Sequence, residues 1–350
     1  MAAPAPVRVG FLFDYPQPDG GDHFEAAVRL GIDEVASDGR LDRDFEFLRV
    51  EATGLPLGTE HAVVGGFRDL ETVGCLAIIG PSISDNGLIV APLADAAEVV
   101  AINYTGGERT RGAFGFHYQV GSLEEEPVVL AQRLAQRGLR RPAVVFDRSP
   151  VGRRYAECFE AATTGEGLEI AGAVGVSPVA EDVSGPVERL RSVEPDALVY
   201  LGLGMASRAV ALALEQLRWA PPVVANSALM FGYARPDWQD GWAGWEYLDV
   251  IADDNERRRH LAERAPRVAA GPIGCAAADI GRLLAEGLAR ADHLTRAGIR
   301  DALERVKRLP ATCGQPGTTL SFGHYDHGAL HGDYLVLRTW AGGRSVQVPT

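Results

Sequence analysis

The chain has 350 residues, of which 46% are hydrophobic and 23% are charged, a composition typical of a globular protein and not of a disordered or fibrous one. Its 34 basic and 47 acidic residues give a formal net charge of −13, which disfavours binding to nucleic acid. No stretch reaches the roughly 18 consecutive apolar residues that a membrane-spanning helix needs, so membrane insertion is not expected.

Short apolar runs alternate with longer segments of helical period, the pattern of a mostly parallel sheet covered by helices. A first series of predicted strands covers residues 7–13, 45–50, 75–79 and 99–103. A second series covers residues 143–146, 168–174, 197–201, 222–225 and 247–251. Two series of this kind predict two similar lobes, each a doubly wound parallel sheet.

The pattern changes after residue 251, where helical segments at 255–265, 273–291 and 296–308 precede strands at 318–322 and 333–340. We interpret this helix-rich return as the chain crossing back to complete the first lobe. The predicted domains are residues 1–120 plus 252–328 for lobe 1 and residues 121–251 plus 329–350 for lobe 2. Lobes joined by several crossings are expected to hinge about a cleft.

Polar and small residues follow several strands of the first series. Tyr15 follows the first strand, Ser82 and Ser84 follow the third, and the run 104–107 (Tyr104, Thr105, Gly106, Gly107) follows the fourth. Because ligands of open parallel sheets bind outside the carboxyl ends of the strands, these residues are candidate contacts. Capping of a helix is an alternative explanation for Ser84.

Five segments resemble, in this order, type I periplasmic binding proteins of the leucine/isoleucine/valine-binding branch that serves ABC transporters: VRVGFLFDYP, FEAAVRLGIDEVASDG, AIIGPSISDNGLIVAPLADAAEVVAINYTGG, RRPAVVFDRSPVGRRYAECFEAATTGEGLEI and EPDALVYLGLGMASRAVALALEQL. Relatives of this branch include cytoplasmic amide-sensing regulators. The resemblance extends over residues 7–340. It implies an α/β fold of two doubly wound parallel-sheet lobes joined by a three-crossover hinge, with a ligand closed between the lobes.

The resemblance also implies roles for individual residues of the first lobe. Ser84, Thr105, Gly106 and Gly107 match positions that hold the ligand carboxylate in the family, and Tyr104 is adjacent to them. The family binds the ligand ammonium in its second lobe, through the tyrosine of a D-x-x-x-Y-G motif and an acidic residue after a later strand. Here Val151 replaces that tyrosine, and residues 225–231 contain no acidic residue.

The replacement of the tyrosine by Val151 and the lack of an acidic residue in 225–231 restrict the chemical class of the ligand. An ammonium group removed from water without a paired carboxylate is disfavoured by several kcal/mol. We therefore expect a small organic ligand with an apolar body and a carboxylate or amide end, held by Ser82, Ser84, Tyr104 and Thr105 of the first lobe. The expected contacts of the second lobe are Val151, Met205, Ser227 and Met230, with Arg148 as the charge partner of an acid.

Other functions find less support in the residues. Residues 202–207 begin like a dinucleotide-binding fingerprint but lack its third glycine and an acidic residue about 20 positions later, which argues against a nucleotide-dependent enzyme. The spacing of His324, His327 and His331 fits no standard zinc site and predicts a solvated turn. His117 is predicted to be a buried structural histidine, with a ligand contact as the alternative. Without a recognisable catalytic motif, neither an enzyme nor a cofactor or metal is expected.

The four cysteines, Cys75, Cys158, Cys275 and Cys313, are far apart and predict free core thiols, with a bridge between Cys275 and Cys313 left open. The first thirty residues do not resemble a signal peptide, which predicts a cytoplasmic location, although a trimmed mature form starting with an added Met1 would look the same. The expected role is the solute-binding component of an ABC-type transporter with a permease as partner. The alternative is a cytoplasmic ligand sensor of the amide-sensing type with a regulatory partner protein.

Overall fold

A computed structural model describes residues 6–17 and 19–349. Its β-strands are β1 (Val7–Phe13), β2 (Phe45–Glu51), β3 (Ala77–Ile79), β4 (Val100–Asn103), β5 (Gly115–His117), β6 (Pro142–Asp147), β7 (Gly172–Val176), β8 (Ala197–Leu201), β9 (Val223–Ala225), β10 (Glu246–Asp249), β11 (Leu309–Pro310), β12 (Thr319–Leu320), β13 (Leu330–His331), β14 (Val336–Ala341) and β15 (Arg344–Gln347).

Ten α-helices lie within the described residues: α1 (Asp22–Ser37), α2 (Glu60–Thr72), α3 (Ser84–Ala97), α4 (Glu125–Gln136), α5 (Pro150–Glu166), α6 (Ser184–Arg191), α7 (Ser207–Gln216), α8 (Glu256–Arg264), α9 (Pro272–Arg290) and α10 (Arg296–Leu303). Short 3₁₀ helices at Glu108–Thr110, Ser227–Tyr233, Pro236–Trp242 and Val268–Ala270 complete the helical elements. Among the residues described here, no helix is both long and apolar enough to cross a membrane.

The chain divides into two compact units, and it passes from one to the other three times. Unit 1 comprises residues 1–120 and 250–334, and unit 2 comprises residues 121–249 and 335–350. The return segment of unit 1 therefore ends six residues later than the predicted residue 328. The reason is that β13 pairs with β12 in an antiparallel sheet of unit 1, a contact that the pattern of these two short strands did not indicate.

Unit 1 contains a five-stranded sheet in the order β2-β1-β3-β4-β5, in which every pair is parallel. The inner strands β3 and β4 are buried throughout because helices cover both faces of the sheet, whereas the edge strand β2 carries charged residues. α1 packs against α9 at very short range. A β-carbon added to Gly31 would lie 2.0 Å from the Ala278 carbonyl oxygen, and one added to Gly281 would lie 2.0 Å from that of Val28, so this helix crossing requires both glycines.

Unit 2 contains a seven-stranded sheet in the order β15-β14-β10-β9-β8-β6-β7. The five strands from β10 to β7 are parallel, and β14 and β15 extend the sheet as an antiparallel hairpin. All five tryptophans of the chain belong to this unit, and Trp340 of the hairpin stacks on Tyr247 of β10 at 5.8 Å between ring centroids. The prediction of an α/β fold with two doubly wound lobes is confirmed.

Candidate functional site

The carboxyl edge of the unit 1 sheet has a switch point between β1 and β3, because the chain leaves β1 for β2 on one side and later returns to β3 on the other. Such a point leaves a crevice between two diverging connections, where ligands of open sheets bind. Asp14, which directly follows β1, lies there with only 1% of its surface exposed.

The Asp14 carboxylate organises the loop that follows β3. One of its oxygens accepts hydrogen bonds from the backbone nitrogen of Ser82 (2.7 Å) and from the Ser82 hydroxyl (2.8 Å). The other accepts from the backbone nitrogen of Ile83 (3.0 Å) and from the side-chain amide of Asn86 (2.8 Å). Burial raises the pKa of Asp14, while these donors act to lower it.

This arrangement assigns different roles to the two candidate serines. The Ser82 hydroxyl gives its hydrogen to Asp14, so its oxygen can only accept a hydrogen bond from a ligand. The Ser84 hydroxyl accepts from the backbone nitrogen of Gly106 (3.2 Å), so its own hydrogen is available to donate. Ser84 is the first residue of α3 and not its N-cap; that position belongs to Ile83, and the capping explanation of Ser84 is wrong.

Tyr104 lies at the end of β4, beside the same loop. Its ring stacks on Phe24 of α1 at 4.9 Å between centroids, and only 2% of the residue is exposed. Its hydroxyl lies near Ser82, and burial together with the nearby Asp14 raises the pKa of Tyr104, so the phenol is neutral. The structure therefore brings Ser82 and Tyr104 together, as it does Ser84 and Gly106.

Thr105 is fully buried in a network of side chains instead of lining the edge. Its hydroxyl donates to the Asn103 side-chain oxygen (3.0 Å) and accepts from the backbone nitrogen of Gly107 (3.3 Å). His117 contacts the Thr105 carbonyl oxygen through Nε2 at 2.7 Å. Burial, with a contribution from the Arg111 charge, lowers the pKa of His117 to about 3, so its imidazole is neutral and structural.

The unit 2 sheet repeats this architecture at its own switch point, between β6 and β8. Asp147, the last residue of β6, is fully buried and accepts hydrogen bonds from the Tyr200 hydroxyl (3.0 Å) and the backbone nitrogen of Leu203 (2.7 Å). Asn226, after β9, binds both backbone groups of Gly202 at 3.0–3.2 Å. As in unit 1, a side chain at the end of one strand holds the loop that follows the neighbouring strand.

The second-lobe candidates follow three adjacent strands. Met230 lies after β9, Met205 after β8 and Val151 after β6, and these strands are neighbours in the sheet. Val151 is 3% exposed in the first turn of α5, whereas Met205 and Met230 are half-buried. This edge of unit 2 therefore carries apolar side chains in the three places where its strands end.

A carboxylate near Ser227 was missed by the sequence reasoning. Glu126 of α4 is fully buried, and its two carboxylate oxygens accept from the backbone nitrogens of Ser122 (2.7 Å) and Ser227 (3.0 Å). The expectation considered only residues 225–231, close to Ser227 in sequence. No local pattern pointed to the contact, because Glu126 and Ser227 are 101 residues apart.

The last two candidates are Arg148 and Tyr15. Arg148 is exposed, and its side chain lies beside Gly175 of β7, at the edge strand of the unit 2 sheet. Tyr15 is half-buried after β1, and its carbonyl oxygen accepts from the Gln17 side chain (3.0 Å).

The histidine-rich turn between β12 and β13 differs from its prediction at one residue. His324 is exposed, but His327 is 5% exposed and stacks on Phe116 at 4.0 Å between ring centroids. Within residues 6–17 and 19–349, no group of three or more His, Cys, Asp or Glu side chains could hold a metal ion. Cys275 and Cys313 are both buried and form no disulfide, although their thiols are adjacent.

The sequence of residues 6–339 matches the family described as periplasmic binding protein. The chain belongs to this family. The family prediction is thereby confirmed, and membership assigns the protein a solute-binding role. No curated protein matches the sequence significantly.

Solved structures of periplasmic binding proteins share the fold over nearly the whole chain. The type 1 protein from Bordetella pertussis Tohama I has a TM-score of 0.85 at 16% identity, with 99% of this chain and 100% of that one covered. An ABC transporter substrate-binding protein from Desulfitobacterium hafniense in complex with Leu has a TM-score of 0.81 at 17% identity, with 98% and 100% covered. The leucine binding protein LivK from Thermotoga maritima MSB8 has a TM-score of 0.80 at 14% identity, with 98% of both chains covered.

Proposed function

We propose that this protein is the non-catalytic, solute-binding component of an ABC-type transporter. Its ligand is a small organic molecule with an apolar body and a carboxylate or amide end. The observation that carries this proposal is the apolar edge of unit 2, where buried Val151 and half-buried Met205 and Met230 follow adjacent strands. A methionine thioether adapts to irregular apolar shapes, which suits a hydrophobic ligand.

The carboxyl edge of the unit 1 sheet carries polar groups that suit the carboxylate or amide end of such a ligand. Ser84 can donate a hydrogen bond and Ser82 can accept one, a pair that fits a primary amide through its oxygen and its nitrogen. A carboxylate would use Ser84 together with backbone donors at the start of α3. Buried Asp14, next to Ser82, favours the amide, because a second negative charge close to it is repelled.

Leucine is the ligand to compare, since the Desulfitobacterium hafniense protein was solved with it. Its ammonium would need a carboxylate partner in the apolar edge. Among the described residues of unit 2, three carboxylates are fully buried, Asp147, Glu126 and Asp249. Asp147 and Glu126 accept backbone N–H groups of Leu203 and Ser227, and Asp249 accepts from the Tyr233 hydroxyl. Recruiting any of them for an ammonium would weaken these contacts, so an amino acid is disfavoured.

The test is isothermal titration calorimetry with three ligands that share one side chain: leucine, 4-methylpentanoate and 4-methylpentanamide. The last two lack the amino group, and they differ from each other in charge and in the N–H donors that only the amide has. We expect either or both of them to bind at least tenfold more tightly than leucine. Leucine binding more tightly than both would overturn the ligand class, and a Glu126→Gln variant that selectively loses leucine would identify the ammonium partner.

The transport role and the sensor role require different locations for the protein. Transport by an ABC permease places the binding protein outside the cytoplasm, whereas an amide sensor acts inside it. Fractionation of the native host with an antibody against this chain separates the two, because recovery in the cytoplasmic fraction alone would contradict transport.

A further inference from the structure

A small cavity opens on the helical side of unit 1, among α1, α8 and α9. Its volume is about 50 Å³, and its lining includes Glu34 of α1, Arg257, His260 and Arg264 of α8, and Thr312 after β11. Glu34 lies twelve residues after Asp22, the first residue of α1, which corresponds to about 18 Å along the helix axis. The cavity is therefore well separated from the carboxyl edge of the sheet, to which α1 is joined at its start.

The helix that forms one wall of the cavity is unusually basic for a chain with a net charge of −13. α8 contains four arginines and two glutamates, and it buries none of its residues. A helix without a buried face contributes little to the hydrophobic core. Its charge is thus the property that distinguishes it from the rest of the surface.

Positive charge around the cavity exceeds negative charge. Glu34 is shared by two guanidinium groups, since it lies 2.6 Å from Nη2 of Arg257 and 3.3 Å from Nε of Arg282. Burial and the nearby Arg257 charge lower the pKa of Arg282, which shows that the two cations are crowded. Arg264, also in the lining, has no ion-pair partner within 4.0 Å among the described residues.

One donor of this cluster is left without an acceptor. The Nε atom of Arg257 is buried and has no hydrogen-bond partner in the part of the chain that the structure describes. A buried donor on a charged group that remains unsatisfied costs free energy. An anion beside Arg257 would relieve the repulsion between the two guanidinium groups.

The size of the cavity indicates what it can hold. A water-sized group needs about 10–15 Å³ of this kind of volume, so about 50 Å³ accommodates three to five such groups. Inorganic phosphate, with four oxygens, and a carboxylate are of this size. Guanidinium groups bind both through paired N–H···O contacts.

We propose that this cavity is a second ligand site, which binds a small oxyanion with the chemistry of phosphate or a carboxylate through Arg257 and Arg264. The site is independent of the solute-binding edges. It gives the protein an anion-dependent stability in unit 1 that the transported solute does not supply.

The test uses inorganic phosphate and acetate as probes, titrated at constant ionic strength into the purified protein and followed by calorimetry. Arg264→Gln removes a lining cation that is not paired with Glu34. Arg257→Gln removes the lining cation that is paired with Glu34. Arg259→Gln is the matched control, because Arg259 lies on the same helix but is outside the lining. We expect saturable binding of at least one probe, weakened at least tenfold in Arg264→Gln and unchanged in Arg259→Gln.

Two outcomes would overturn the proposal. One is the absence of saturable binding of either probe to the unmodified protein. The other is an equal loss in the Arg264 and Arg259 variants, which would indicate a diffuse charge effect. Thermal stabilisation by phosphate alone is not used as the readout, since phosphate stabilises folded proteins by exclusion from their surface.

Discussion

Glu286 makes a strong and testable contribution to the stability of unit 1. It lies in α9 with 4% of its side chain exposed, and Arg40 binds it in bidentate geometry at 2.7 and 3.0 Å. Arg290, one turn further along the helix, also contacts it. Burial raises the pKa of Glu286, but the two arginines outweigh that effect and bring it from 4.5 to about 2.

The magnitude follows from this shift in pKa. Each unit corresponds to about 1.4 kcal/mol, so the full shift would be worth about 3 kcal/mol. Because the side chains of Arg40 and Arg290 are 43% and 35% exposed, solvent screening reduces this figure. We therefore expect Glu286→Gln to lower the free energy of unfolding by about 1.5–3 kcal/mol at pH 7.

The dependence on pH has a defined sign. The folded-state pKa of Glu286 lies below its unfolded value, so the stabilisation is fully present above pH 4.5 and is lost as the pH falls towards 2. Urea unfolding of both proteins, followed by far-UV circular dichroism, measures the difference at each pH. Tryptophan fluorescence reports separately on unit 2, which contains all five tryptophans.

Glu181→Gln is a suitable control for this experiment, because Glu181 is exposed and should change stability by less than about 0.5 kcal/mol. A difference below about 0.5 kcal/mol for Glu286→Gln at pH 7 would refute the reasoning. So would a difference of the expected size that stays constant between pH 7 and pH 2.5.

Gly204→Ala should destabilise unit 2 by more than about 2 kcal/mol, measured by tryptophan fluorescence in urea. The reason is that Gly204 has a φ of +103° and an added β-carbon would lie 2.4 Å from the Ala228 carbonyl oxygen. A loss below about 1 kcal/mol would contradict this prediction. With a thiol reagent, the native protein should react at half-buried Cys158 alone. Burial raises the pKa of Cys75 to about 11, and Cys275 and Cys313 are also buried. More than one fast-reacting thiol would refute this prediction. Ser84→Ala should weaken binding of the best ligand of the calorimetric series about tenfold, as expected for a lost hydrogen bond, and unchanged affinity would remove Ser84 from the site.

Local patterns were sufficient for the long, regular elements. The limits of β1 and β8 agree with their predictions to the residue, because each is a mainly apolar run bounded by polar residues or turns, with Arg8 the one charged residue in β1. The helix predicted at 273–291 is found as α9, whose apolar stripe is unambiguous. By contrast, β5, β11, β13 and β15 were not predicted, since these short segments contain no continuous apolar run and form strands only through their partners.

The sequence by itself determined the architecture, because alternating apolar runs must be buried and only a few layered arrangements bury them. It also placed the candidate residues at the ends of strands. Only the tertiary structure decided which of these side chains are committed elsewhere, as the Ser82 hydroxyl is to Asp14, 68 residues earlier in the chain. It likewise brought Glu126 within 3.0 Å of Ser227, 101 residues later in the chain. No local pattern encodes hydrogen bonds of this kind, since they form only when distant segments of the chain are placed side by side.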